Sequence, residues 1–133
     1  MIALDTNILI RFLVKDDNKQ AKLVYKVFKE AEAKQEILFV PLLVVLEVIW
    51  VLQSVYKISD KDILEAISEL LLMPVLKFEM QQAIQEFIAS AENIKLDLSD
   101  ILIAHSAKLS GCESVLTFDK KASKFKRFKL LLE

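Results

Sequence analysis

Four acids occupy positions from which carboxylates could cooperate. Asp5 and Asp119 each follow a short apolar run, Asp100 opens a helical stretch, and Glu47 lies within residues 42–52, where every other residue is apolar. In open parallel sheets ligands bind beyond the carboxyl ends of the strands, where loops and helix N-termini converge. Asp5 and Asp119 fall at such ends, and two strand-end acids share one crevice if their strands are neighbours. Each also has a structural role open to it. An Asp after a strand is a good N-cap for the helix that follows, Ser99 can cap the helix that Asp100 enters, and an acid in a first turn is favoured by the helix macrodipole. Glu47 differs, because its helical neighbours Leu43, Val44, Trp50 and Val51 are all apolar. It is expected to be buried, and therefore protonated, paired with a base or bound to a cation.

Four carboxylates meeting in one crevice would repel one another unless a cation were present. An all-oxygen ligand set without a His or Cys cluster suits a hard ion, Mg2+ or Mn2+, rather than zinc. Such an ion makes a bound water more acidic and supplies positive charge to a pentavalent phosphate and its leaving oxygen, the two needs of phosphodiester hydrolysis at neutral pH. That chemistry requires no histidine. His105, the one histidine of the chain, sits among Ile101, Ile103 and Ala104 and reads as a structural or surface residue.

The elements that position these acids follow from periodicity and punctuation. Apolar β-like runs at 2–4, 37–40, 75–78, 114–118 and 128–131 alternate with helical stretches at 6–14, 19–33, 41–56, 59–72, 80–91 and 99–109. Pro41 suits a first helical turn, Ser59 a cap with Asp62 in the capping-box position, and Gly111 a helix end, while Pro74 stops a helix. The expected order is β-α-α-β-α-α-β-α-α-β-α-β. Strands apolar on both faces and separated by helices predict an α/β three-layer sandwich with a mostly parallel sheet of four to five strands.

Composition excludes several classes. The 133 residues fit a single domain, 1–133, with enough core to fold without disulfide or structural metal. A single cysteine, Cys112, cannot form an internal bridge and points to a reducing compartment, the cytoplasm. The start, Met1 to Asp5, lacks the layout of a secretory leader, and the most apolar stretch, 37–52, is interrupted by Pro41 and Glu47, so it reads as core and not as a membrane span. With Gly111 the only glycine, phosphate-cradling loops are excluded. The net charge of −1 makes any nucleic-acid contact local. From 119 to 133 the bases Lys120, Lys121, Lys124, Lys126, Arg127 and Lys129 outnumber the acids Asp119 and Glu133, so this tail is either a phosphate contact or a solvated face.

Three segments carry a resemblance. Residues 2–10 hold Asp5-Thr6-Asn7 after an apolar strand, 41–52 hold Glu47, and 96–125 hold Asp97, Asp100 and the closing Thr117-Phe118-Asp119. In this order and separation they resemble the PIN-domain nucleases, in particular the VapC-type toxins of toxin-antitoxin pairs, over the whole chain. The resemblance implies a PIN-like fold and a Mg2+- or Mn2+-dependent endoribonuclease cleaving single-stranded or looped RNA. Such an enzyme is usually a homodimer, held inactive by a small antitoxin that inserts a segment near the active site. It further implies that Asp5, Glu47 and Asp100 carry the metal, that Asp119 completes the shell or a second site, and that Thr6, Asn7 and Thr117 orient these carboxylates or the water. Asp97 is either a fifth acid or a helix-entry residue. His105 departs from the family, where a small residue often stands.

Two other enzyme classes lose on placement. A haloacid-dehalogenase-type phosphatase wants a second Asp two residues after the first, where this chain has Asn7, and a receiver domain wants an adjacent acid pair after its first strand. The alternative from another class is a PIN-like binding or scaffold module that does not cut. The presence of all four acids argues against it.

Overall fold

The computed structural model describes residues 1–132, and the chain folds as two compact units, Met1–Gln81 and Gln82–Glu133.

In the first unit the elements run β1 (Ile2–Ala3), α1 (Thr6–Val14), α2 (Asn18–Ala33), β2 (Leu38–Val40), α3 (Leu42–Ser54), α4 (Asp60–Leu71) and β3 (Leu76–Phe78). The three strands form one parallel sheet in the order β1-β2-β3, with Ile2 opposite Leu38 and Leu38 opposite Leu76. Parallel neighbours need crossovers, and each crossover here is a pair of helices. Local chemistry sets the helix ends. Asp17 accepts from the Gln20 N–H at 3.0 Å to cap α2, and Ser59 accepts from the Asp62 N–H at 3.2 Å to cap α4. Pro41 precedes α3 but offers no side-chain cap. Glu79, just beyond β3, reaches the exposed end instead and accepts from the Leu42 N–H at 2.8 Å. The α1 helix packs on α2 and α3, and the stripe Val45, Val48, Ile49 and Leu52 is the buried face of α3.

The second unit contains α5 (Gln81–Ala91) from its second residue on, α6 (Leu98–Leu109), β4 (Val115–Thr117), a 3-10 turn (Ala122–Lys124) and β5 (Phe128–Leu130). The two strands pair in parallel, Val115 opposite Phe128. Ala104 of α6, Ala122 and Phe128 form a buried cluster, with Val115 and Phe125 packed against it. Gly111 closes α6 in the left-handed region at φ +91, where its N–H bonds the Lys108 carbonyl and the Cys112 N–H bonds that of Ala107.

The mixed α/β class, the parallel strands and the element order agree with expectation. All five expected strands form, three in one unit and two in the other. The last expected helix, between β4 and β5, is only a 3-10 turn. Asp97, and not Ser99, caps α6, accepting from the Ser99 N–H at 3.4 Å. Among the described residues no helix is long and apolar enough to cross a membrane.

Candidate active site

In the first unit Leu4 extends the β1 ladder through its N–H to the Phe39 carbonyl, and the chain then turns into α1 at Asp5. Asp5 is the N-cap, its Oδ1 accepting from the Thr6 N–H at 2.6 Å. The capping role left open by the sequence is therefore filled, but it uses one carboxylate oxygen. Thr6 is buried, and its hydroxyl donates to the Oε1 of Glu47 on α3. One residue thus holds two acids that stand far apart in sequence, the first through its backbone and the second through its side chain. Asn7 is exposed on the first turn of α1, and no hydrogen bond of its side chain is found among the described residues.

Glu47 corrects the expectation of burial: it is exposed. Its apolar neighbours Leu43 and Trp50 are themselves 77% and 59% exposed. The cause is the excess of apolar residues on α3. Once Val45, Val48, Ile49 and Leu52 fill the core-facing stripe, the positions at 43, 47 and 50 lie together on another side of the helix. Glu47 therefore needs no buried counter-ion, and its orientation comes from Thr6.

In the second unit Asp100 is half-buried in the first turn of α6, three residues after its cap Asp97. Burial holds its carboxyl above the ordinary carboxylate range, and the negative charges of Asp97 and then Asp119 push in the same direction. Asp119 follows β4 by one residue. Its Oδ1 accepts from the N–H groups of Lys121 at 2.9 Å and Ala122 at 3.4 Å, and its own N–H donates to the Thr117 Oγ1 at 3.0 Å. Thr117 thus fixes the backbone of the turn that presents Asp119.

His105 is buried, as a structural residue would be. The Ser90 hydroxyl lies 3.2 Å from the Phe87 carbonyl and shares a 2.6 Å hydrogen bond with His105 Nε2. The other ring nitrogen, Nδ1, is buried and has no partner among the described residues. Glu79 is a strand-end acid whose function in the fold the sequence reading does not reach. The one signal for it is Pro41, a helix entry that cannot cap itself.

Among the described residues no group of three or more Asp, Glu, His or Cys side chains is arranged to hold a metal ion. The acids form smaller sets: Asp5 and Glu47 tied through Thr6 in the first unit, and Asp100 acting electrostatically with Asp97 and Asp119 in the second. The donors fit a hard divalent cation in type, since all are oxygens. They fit in charge as well, because Asp100 carries an electrostatic penalty that a cation would relieve.

An α/β protein with parallel strands, acids at the ends of β1 and β4 and a threonine hydrogen-bonded to each of those acids offers oxygen donors of the kind a metal-dependent nuclease uses. The PIN domain family model matches residues 2–129, and the chain belongs to that family. It is also similar to the VapC ribonuclease of Aquifex aeolicus (strain VF5), with 30% identity over 124 residues, 93% of this chain and 91% of the relative.

Proposed function

We infer that this PIN domain is an endoribonuclease, the toxin of a toxin-antitoxin pair, and we propose that Asp5, Glu47, Asp100 and Asp119 are the carboxylates that carry its divalent cation, Mg2+ or Mn2+. The activity rests on family membership and on the likeness to a VapC ribonuclease over most of both chains. The site rests above all on one observation, the joining of Asp5 and Glu47 through Thr6. The family model spans both compact units, which supports one domain over 1–133.

When bound, the cation supplies a more acidic water and positive charge for the pentavalent phosphate and the leaving oxygen. The chain's own groups do the positioning. Thr6 fixes the Glu47 carboxylate and the Asp5 oxygen that caps α1, Thr117 fixes the turn carrying Asp119, and Asn7 supplies an exposed amide beside Asp5. Asp97 holds the entry to α6 and adds negative charge around Asp100.

Single-stranded or looped RNA is the proposed substrate, and a small cognate antitoxin and a second copy of the chain are the proposed partners. Leu43 and Trp50 flank Glu47 and expose apolar surface of the kind such partners cover. The exposed, unpaired thiol of Cys112 suits the cytoplasm. Purified protein is expected to cleave single-stranded RNA with Mg2+ or Mn2+ and to stop when a chelator is added or Asp5→Asn is introduced. Undiminished cleavage by Asp5→Asn would sink the site assignment. In cells, growth arrest that needs Asp5 and is relieved by the neighbouring small reading frame would identify both toxin and partner.

A further inference from the structure

Within the second unit, the loop that leads into α6 and the segment around the 3-10 turn enclose a cleft of about 620 Å3. That lies within the roughly 300–1,000 Å3 of typical ligand pockets. Lys95, Lys121, Lys124 and Lys126 line it together with Leu96 and Phe125, and no acidic residue does so among those described. The half-buried Phe125 ring packs 6.3 Å from Phe128 and 6.0 Å from His105, so one part of the lining is a fixed aromatic. Both walls join the acids directly: Leu96 precedes the α6 cap Asp97, and Lys121 donates its N–H to Asp119.

We propose that this cleft is a binding site for single-stranded RNA, seating phosphates on its four lysines and a base against Phe125. The identity of the polyanion rests on the ribonuclease reading; the site itself rests on the cleft. Ammonium groups beside an aromatic face are how proteins track single strands, with charge on the backbone and stacking on the bases. An acidic peptide would satisfy the lysines but make no use of Phe125 and Leu96. The position also fits a strand whose next phosphate reaches Asp119 and the α6 entry. The basic tail therefore divides in two. Lys121, Lys124 and Lys126 face the ligand, whereas Arg127 donates to the Cys112 carbonyl at 3.0 Å and holds the fold together.

The test is anisotropy of a labelled 12-nucleotide single-stranded RNA, titrated with the full chain in excess chelator so that nothing is cut. The double variant Lys95→Gln/Lys126→Gln is expected to bind at least about tenfold more weakly, and its log Kd against log salt slope is expected to fall by about 1.4, some 0.7 per lost contact. The same charge change on α2, Lys19→Gln/Lys22→Gln, is expected to leave both quantities unchanged. Phe125→Leu, which keeps an apolar side chain in the packing, is expected to weaken binding by about tenfold through lost stacking. Equal affinity and slope for the two lysine pairs would overturn the cleft. So would displacement of the RNA by oligoglutamate as readily as by unlabelled RNA, which would assign the cleft to an acidic peptide. A parallel assay with Mg2+ separates the two readings: RNA bound through the cleft but left uncut would count against the ribonuclease and not against the cleft.

Discussion

Thr6 donates its hydroxyl to Glu47, a residue 41 positions away on another helix, while its backbone N–H serves Asp5 next door. A buried hydroxyl with a single donor proton, spent on an exposed carboxylate, sets the direction in which that carboxylate faces. The hydrogen bond also gives Glu47 a fixed geometry at a position where an exposed Glu on a helix would otherwise sample several rotamers.

Thr6→Val tests this directly, because it preserves volume and β-branching and removes only the hydroxyl. Partners that orient a metal ligand typically contribute about 10–100-fold in metal affinity or activity. Cleavage at limiting Mg2+ is therefore expected to fall by about that much, with the Mg2+ titration moved to higher concentration, and Thr6→Ser is expected to restore most of it. A Thr6→Val enzyme with an unshifted Mg2+ titration would mean that Glu47 needs no such orientation.

Asp100→Asn is expected to stabilise the metal-free fold while abolishing cleavage. The folded carboxyl is held above its ordinary value of 3.8 by burial, Asp97 and Asp119, so its ionised form is penalised in the folded state. That penalty is present at neutral pH and disappears as pH falls through the folded pKa. The gain in Tm of the variant over wild type, measured in chelator, should be largest near neutral pH and shrink as the medium is acidified into the carboxylate range. Saturating Mg2+ should reduce or reverse the gain by stabilising wild type alone. A variant that melts below wild type in chelator would contradict the electrostatic account.

Much of the fold was legible because its boundaries are chemically local. The α1 helix runs over the expected 6–14, and Ser59 and Gly111 terminate helices as their residue types direct. What depended on tertiary partners was not legible. A helix apolar on most sides reads as buried, yet α3 spends only one stripe on the core, which leaves Leu43 and Trp50 in solvent and Glu47 exposed with them. The capping of α3 by Glu79 crosses 37 positions, and Pro41 signals only that the helix entry cannot cap itself, not which residue caps it. For the acids, a local structural role does not use up the carboxylate. Asp5 caps α1 and Asp119 holds its own turn, each through Oδ1, and no hydrogen bond to Oδ2 is found among the described residues, so the second oxygen is left open to the cation proposed above.

Gly111→Ala isolates a backbone effect. At φ +91 the left-handed conformation disfavours any residue with a Cβ, but a methyl group there would meet nothing within 4 Å. The cost is therefore conformational alone, about 1 kcal/mol. Urea denaturation should show that loss with an unchanged m-value, and RNA cleavage at saturating metal should be unaffected. A loss of several kcal/mol would mean that the turn after α6 is coupled to packing elsewhere in the second unit.

His105 should make the fold acid-sensitive above the carboxylate range. Its pKa is lowered from 6.5, first by burial, with Lys108 and Arg127 adding to the effect and Glu86 opposing it. The protonated ring carries an N–H at both nitrogens, and buried Nδ1 has no acceptor among the described residues. Because the folded pKa lies below the unfolded one, the stability due to neutral His105 is complete above pH 6.5 and is lost as pH falls towards the folded pKa. Unfolding free energy, measured by urea from mildly alkaline to mildly acidic pH, should therefore begin to decline near pH 6.5. His105→Gln, which can still donate towards Ser90 but cannot titrate, should be less stable at the alkaline end and show a flatter profile in that window. If the two profiles run parallel, the acid sensitivity arises elsewhere and the Ser90 contact alone accounts for what His105 contributes.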